Sequence, residues 1–129
     1  MFDDEILLRT GRFNLSKPKS HYINECCFGD DFAAWMKTKL AEKGISADDP
    51  EQEDWGWYLD AKHEGSSYMI GFSGNSDEDQ TRPDYGEWHV MIKRDRSLKD
   101  KLLGRNKDVS GIAKIVEDIL RAEPDFSVD

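Results

Sequence analysis

Residues 87–94, EWHVMIKR, set Trp88, Val90 and Ile92 two apart, and residues 66–74, SSYMIGFSG, repeat that spacing with Tyr68, Ile70 and Phe72. Alternation of this kind turns one side of a strand toward a core. Residues 55–62, WGWYLDAK, predict a third strand whose inner face carries Trp55, Trp57, Leu59 and Ala61. Residues 5–15, EILLRTGRFNL, predict a fourth, bent at Thr10-Gly11. Glu64-Gly65 suits a hairpin turn, and residues 74–86, GNSDEDQTRPDYG, read as a longer acidic loop.

Elsewhere the apolar period lengthens. In residues 28–44, FGDDFAAWMKTKLAEKG, the positions Phe28, Phe32, Trp35, Met36 and Leu40 fall at helical spacing, with Asp30 and Asp31 in the first turn and Gly44 past the last. Residues 108–124, DVSGIAKIVEDILRAEP, predict a second helix capped by Asp108 or Ser110, with Ile112, Ile115, Val116, Ile119 and Leu120 as its buried stripe. A short last strand fits residues 125–129. The resulting order, β-α-β-β-β-α, predicts one α+β domain over residues 1–129. Its simplest form is a two-layer sandwich, a mostly antiparallel sheet of about four strands with two helices on one face. Tyr58, Met69 and Met91 would then share the other face, where a homodimer contact is the alternative to a monomer.

Composition supports a folded chain: 37% of residues are hydrophobic and 35% charged, with 4 Trp, 4 Tyr and 6 Phe to build a core. The net charge of −9 changes the picture of partners. A nucleic acid or an anionic lipid surface would be repelled unless positive charge is gathered locally, so neither is expected, and a basic protein is the easier partner. The opening MFDDEILLRT has acids where a secretory signal needs bases, and no apolar run has the length of a membrane span, so a cytoplasmic location is expected.

Candidate chemistry is sparse. Only two cysteines occur, Cys26 and Cys27, and adjacent cysteines make a strained ring, so free thiols are expected. Glu51, Glu53 and Asp54 precede two tryptophans, but a glycosidase needs a second carboxylate across the substrate, and these are neighbours in one loop. His21, His63 and His89 are scattered without zinc spacing, and the NSDEDQ run lacks the glycine and closing Glu of a calcium loop. GFSGN lacks the order of a nucleophile elbow, and FGDD would repel a phosphate. The sequence therefore predicts no catalytic residue, no metal and no cofactor, and leans away from an enzyme.

Charge placement is the feature that remains. Alternating the elements up and down gathers residues 3–5, the loop 46–54, the loop 74–87 and the tail 122–129 at one acidic pole, with both helices pointing their C-termini at it. Glu51, Glu53, Asp54, Asp77, Glu78, Asp79 and Asp84 are its candidate binding residues. A pocket beside Trp55 and Trp57, with His21, Cys26 and Cys27 contributing, is the alternative reading and would make the chain a small-molecule binder or an enzyme.

The run INECCFGDDFAAWMKTKLAEKG followed by EQEDWGW resembles a family of small bacterial proteins with an FG-D-aW helix start and an EDWGW strand. The resemblance covers roughly the first two thirds of the chain. It implies a bacterial source and one domain, and it brings no activity and no catalytic residue. The expected function is a binding protein, immunity-like or inhibitor-like, with an acidic surface for a basic partner.

Overall fold

The computed structural model describes residues 2–22, 27–77 and 81–129. Among them the chain forms β1 (Asp4–Thr10), α1 (Asp30–Glu42), β2 (Ser46–Ala47), β3 (Glu51–Glu53), β4 (Gly56–His63), β5 (Ser66–Ser76), β6 (Gly86–Arg94), α2 (Leu98–Leu102), α3 (Ser110–Arg121) and β7 (Ser127–Val128). The fold is α+β: an open antiparallel sheet ordered β2-β4-β5-β6-β1-β7, with β3 also paired to β4. The sheet has seven strands and not four, because the loop read as residues 46–54 contributes two short strands along the outer edge of β4 and the short last strand, β7, adds to β1.

Cross-strand rows explain the core. Trp57 pairs with Phe72, Phe72 with Val90 and Val90 with Ile6, while Leu59 pairs with Ile70 and Ile70 with Ile92. Each of these side chains is buried, and they join one cluster with Phe32, Met36 and Leu40 of α1 and Ile112, Val116 and Leu120 of α3. Apolar residues at period two meet apolar residues at period 3.6, which is what holds helices on one sheet face.

Local turns follow residue chemistry. Between β4 and β5 the two loop residues Glu64 and Gly65 both take positive φ, 50° and 80°, as a tight hairpin with the sheet's own twist requires. The strand predicted over 5–15 stops at Thr10, whose hydroxyl accepts from the Arg12 amide at 3.2 Å and bends the chain. Phe13 and Leu15 still reach the core from beyond the bend.

The predicted alternation of directions is corrected by the pairing. β1 runs antiparallel to β6, so Asp4 lies opposite Ile92, and Asp3 accepts from the Arg94 amide at 3.0 Å. Residues 3–5 therefore sit beside Lys93 and Arg94, at the end away from Asp77 and Asp84. The first helix is reversed as well: α1 starts near Trp57 and Phe72, where Gly29 packs, and ends toward β2, which pairs with Ala61 and Lys62. Its N-terminus faces the end expected to be acidic, so its macrodipole favours Asp30 and Asp31.

Candidate functional site

The sheet face away from the long helices carries the site. One row crosses it as Glu51, Tyr58, Gly71, Met91 and Glu5, partners on five successive strands. Gly71 leaves that row without a side chain at its centre, and the indole of Trp55 occupies the gap. A Cβ built on Gly71 would lie 2.7 Å from Trp55 Cη2 and 3.5 Å from Met91 Cε. Phe2 meets Trp55 edge-on, with ring centroids 5.7 Å apart and planes at 88°.

This placement corrects the predicted strand at residues 55–62. Asp54 and Trp55 are the two-residue turn between β3 and β4, since Glu53 pairs with Gly56. The alternation begins only at Trp57, so the two tryptophans lie on opposite faces of the sheet. Gly56, which a strand with Trp55 and Trp57 both inward would turn outward, is buried, and a Cβ there would sit 2.2 Å from the Phe72 carbonyl oxygen. The close backbone approach that a strand glycine can mark is realised at this turn.

Two hollows share Phe2 and Trp55 as walls. One, of about 190 Å³, is completed by Ser73, Asn75, His89 and Met91. The other, of about 240 Å³, is completed by Glu53, Met69 and Lys93. Both are smaller than the roughly 300–1,000 Å³ of ordinary small-molecule pockets, and each suits one side chain.

Electrostatics divides the face. At one side His89 is held between Glu5, through Nδ1, and Glu87, whose Oε1 is 3.1 Å from Nε2. Burial works against the imidazolium, but the two carboxylates outweigh it and raise the His89 pKa. Arg9 pairs with Asp77 and Glu87 nearby. At the other side acids crowd. Asp60 is raised by its burial and then by the charges of Asp95, Glu51 and Asp48. The Tyr58 hydroxyl donates to Glu51 at 2.9 Å and is pushed up to about 12, first by that bond, then by burial and by Asp60 and Glu53.

No family model, curated protein or solved structure matches this chain. What the face does must follow from its own geometry.

The predicted site residues do not stay together. Glu51, Glu53 and Asp54 are exposed at the β3–β4 hairpin, beside Trp55. Asp77 is paired with Arg9, and Asp84 accepts from the Leu15 amide at 3.0 Å and the Ser16 hydroxyl at 2.7 Å, bonds that lower its pKa. Glu78, Asp79 and Cys26 lie outside the described residues. His21, Cys27 and Trp57 do come together: Trp57 donates its indole N–H to the Cys27 carbonyl at 3.0 Å, and His21 meets Trp57 edge-on at 5.7 Å. Trp55 is absent from that group. Asp30 ties the cluster, accepting from the Tyr22 hydroxyl at 2.6 Å and from Lys19 at 3.1 Å. Burial pushes the Asp30 carboxyl up, but these bonds outweigh it and lower its pKa.

Cys27 is disulfide-bonded, which overturns the expectation of a free thiol there and removes it as a nucleophile. Among the described residues no group of three His, Cys, Asp or Glu side chains is placed to hold a metal ion. No described helix is long and apolar enough to cross a membrane. The sequence reading missed Phe2, Ser73, Asn75 and His89 as lining residues. Gly71, a glycine inside a strand, was the available signal, because such a gap is filled by something from elsewhere.

Proposed function

We propose that this chain is a binding protein whose open sheet face takes a basic partner protein, in the manner of an inhibitor or immunity protein. Trp55 seated over Gly71, with a hollow on either side, carries the reading. The hollows suit one apolar side chain each, and the Phe2, Met69 and Met91 walls supply the apolar contact. The acids around the β3–β4 edge, Asp48, Glu51, Glu53 and Asp60, supply attraction for lysine or arginine beside those anchors. Acids of one sign around an apolar centre raise the association rate and select the charge of the partner, while aromatic anchors carry most of the affinity. Asp77 and Asp84 are engaged within the chain and take no part.

An array of lysine- and arginine-bearing peptides, each with one aromatic or leucine anchor, tests this. Wild-type protein is expected to hold a subset of spots at low salt and release them as salt rises. Trp55→Ala and the pair Glu51→Lys with Glu53→Lys are each expected to weaken those spots by about tenfold or more. Retention by both variants equal to that of the wild type overturns the proposal. Concentration-dependent light scattering that disappears in Trp55→Ala assigns the face to a second copy instead.

A further inference from the structure

The segment between β6 and α3 stands apart from the rest of the molecule. α2 buries none of its residues, and Leu98, Leu102 and Leu103 are 73%, 77% and 58% exposed. These are the exposed large apolar side chains of the described residues. Leu98 and Leu102 are four apart and share one side of the helix. Around them residues 96–107 carry Arg96, Lys99, Lys101, Arg105 and Lys107 against the single acid Asp100. That acid is already occupied: its carboxylate accepts from Arg105 at 3.1 Å, while its backbone amide donates to the Ser97 side chain that caps the helix.

The knob holds its shape by itself. Ser97 Oγ accepts from the Asp100 amide at 3.1 Å, the Arg105 amide donates to the Asp100 carbonyl at 2.8 Å, and Arg96 reaches the Arg105 carbonyl at 3.2 Å. Three leucines in water are therefore not the surface of something half folded. They are presented by a small, internally bonded turn, in a chain whose charge elsewhere is strongly negative.

We propose that this knob docks on an anionic lipid surface, with the leucines entering the acyl boundary and the flanking bases resting on the head groups. Charge complementarity requires an anionic occupant and excludes a second copy of the same knob. Size then favours lipid over protein. A helix of five residues spans only about 7.5 Å, and a stable protein interface takes roughly 800 Å² from each partner. A bilayer needs no matching cavity and accepts leucines at any small basic protrusion. The repulsion expected from the net charge of −9 is screened beyond about 8 Å at physiological salt, so a protruding basic segment acts in place of the whole molecule.

Co-sedimentation of the full chain with vesicles tests the proposal. On phosphatidylcholine mixed with phosphatidylglycerol, binding is expected to be tighter by on the order of tenfold than on phosphatidylcholine alone, and to fall as salt rises. Leu98→Ser with Leu102→Ser and Leu103→Ser, all at exposed positions, is expected to keep the wild-type melting temperature and to reduce the bound fraction to the level of neutral vesicles. Lys99→Glu with Lys101→Glu is expected to do the same. Equal binding to both vesicle types, undiminished binding of the leucine variant, or no binding to either vesicle at low salt overturns it, the last pointing to an acidic protein as the occupant.

Discussion

Trp55 fills the place of the side chain that Gly71 lacks: a Cβ on that glycine would lie 2.7 Å from Cη2 and 3.0 Å from Cζ3 of the indole. The contact joins the β3–β4 turn to the middle of β5, and it is the reason the open face has hollows where an ordinary sheet would have a continuous row of side chains.

Gly71→Val is therefore expected to expel the indole and not to unfold the protein. The atoms in the way belong to the far end of a side chain that is itself half-exposed, so the cost is that of an off-rotamer tryptophan, about 0.5–1.5 kcal/mol. Tryptophan emission is expected to shift to the red while the denaturation midpoint moves little. Unchanged emission would show that Trp55 does not rest on Gly71.

Gly56 meets a different obstacle. Its built Cβ lies 2.2 Å from the Phe72 carbonyl oxygen, a backbone atom of the central part of the sheet, so relief requires moving β4 against β5. Gly65 also has positive φ, 80°, but a Cβ there meets nothing within 4 Å. Gly65→Ala is expected to cost about 1 kcal/mol, the conformational term alone, and Gly56→Ala about 3 kcal/mol or more. Urea denaturation of the two variants measures the difference; equal losses would refute the steric account.

These two glycines mark the limit of what the chain pattern makes legible. Period two in 66–74 and 87–94 and period 3.6 in 30–42 and 110–121 name the core almost residue by residue, because burial on one face leaves an unambiguous trace. Trp55 has the right spacing before Trp57 and still belongs to the other face. A period fixes a side only while the backbone stays extended, and the turn at Asp54-Trp55 ends that. Direction of pairing was beyond reach for a related reason: whether β1 runs with β6 or against it depends on contacts between residues as far apart as Asp4 and Ile92, and β1 antiparallel to β6 moves Asp3, Asp4 and Glu5 to the basic end. α2 left no trace because it has no buried face to be periodic.

His89 gives the open face a pH dependence. Burial lowers its pKa, hydrogen bonds and charges from Glu5 and Glu87 raise it, and the raising effects win. A histidine raised on folding contributes stability that is fully present below the ordinary value near 6.5 and is lost as pH rises through the folded value. The imidazole is expected to titrate above 6.5 by NMR, and Glu5→Gln to bring it down. A midpoint at or below 6.5 in the wild type would contradict the double carboxylate contact. Because His89 also walls the smaller hollow, ligand affinity at that hollow is expected to follow the same titration.

Arg12 explains why the C-terminal acids are not a bare pole. Its guanidinium pairs with Glu123 at 2.6 Å and with Asp125, and it stacks over the rings of Phe126 at 4.6 Å and Trp35 at 5.7 Å. One side chain thus neutralises two acids beyond the C-terminus of α3 and fixes the segment that leads into β7, where the Asp129 amide donates to the Leu7 carbonyl at 2.9 Å. Part-exposed ion pairs and a cation over an aromatic ring contribute a few tenths to about 1 kcal/mol each, so Arg12→Ala is expected to cost about 1–2 kcal/mol. Lysine carries the charge but cannot span Glu123 and Asp125 with a planar fork, so Arg12→Lys is expected to recover less than half of that loss. The decisive readout is local. Amide exchange at Ser127, Val128 and Asp129 is expected to accelerate in Arg12→Ala while the central strand β5 keeps its protection. Uniform acceleration across the sheet would show instead that Arg12 supports the core as a whole, and that the tail is held by β7 pairing alone.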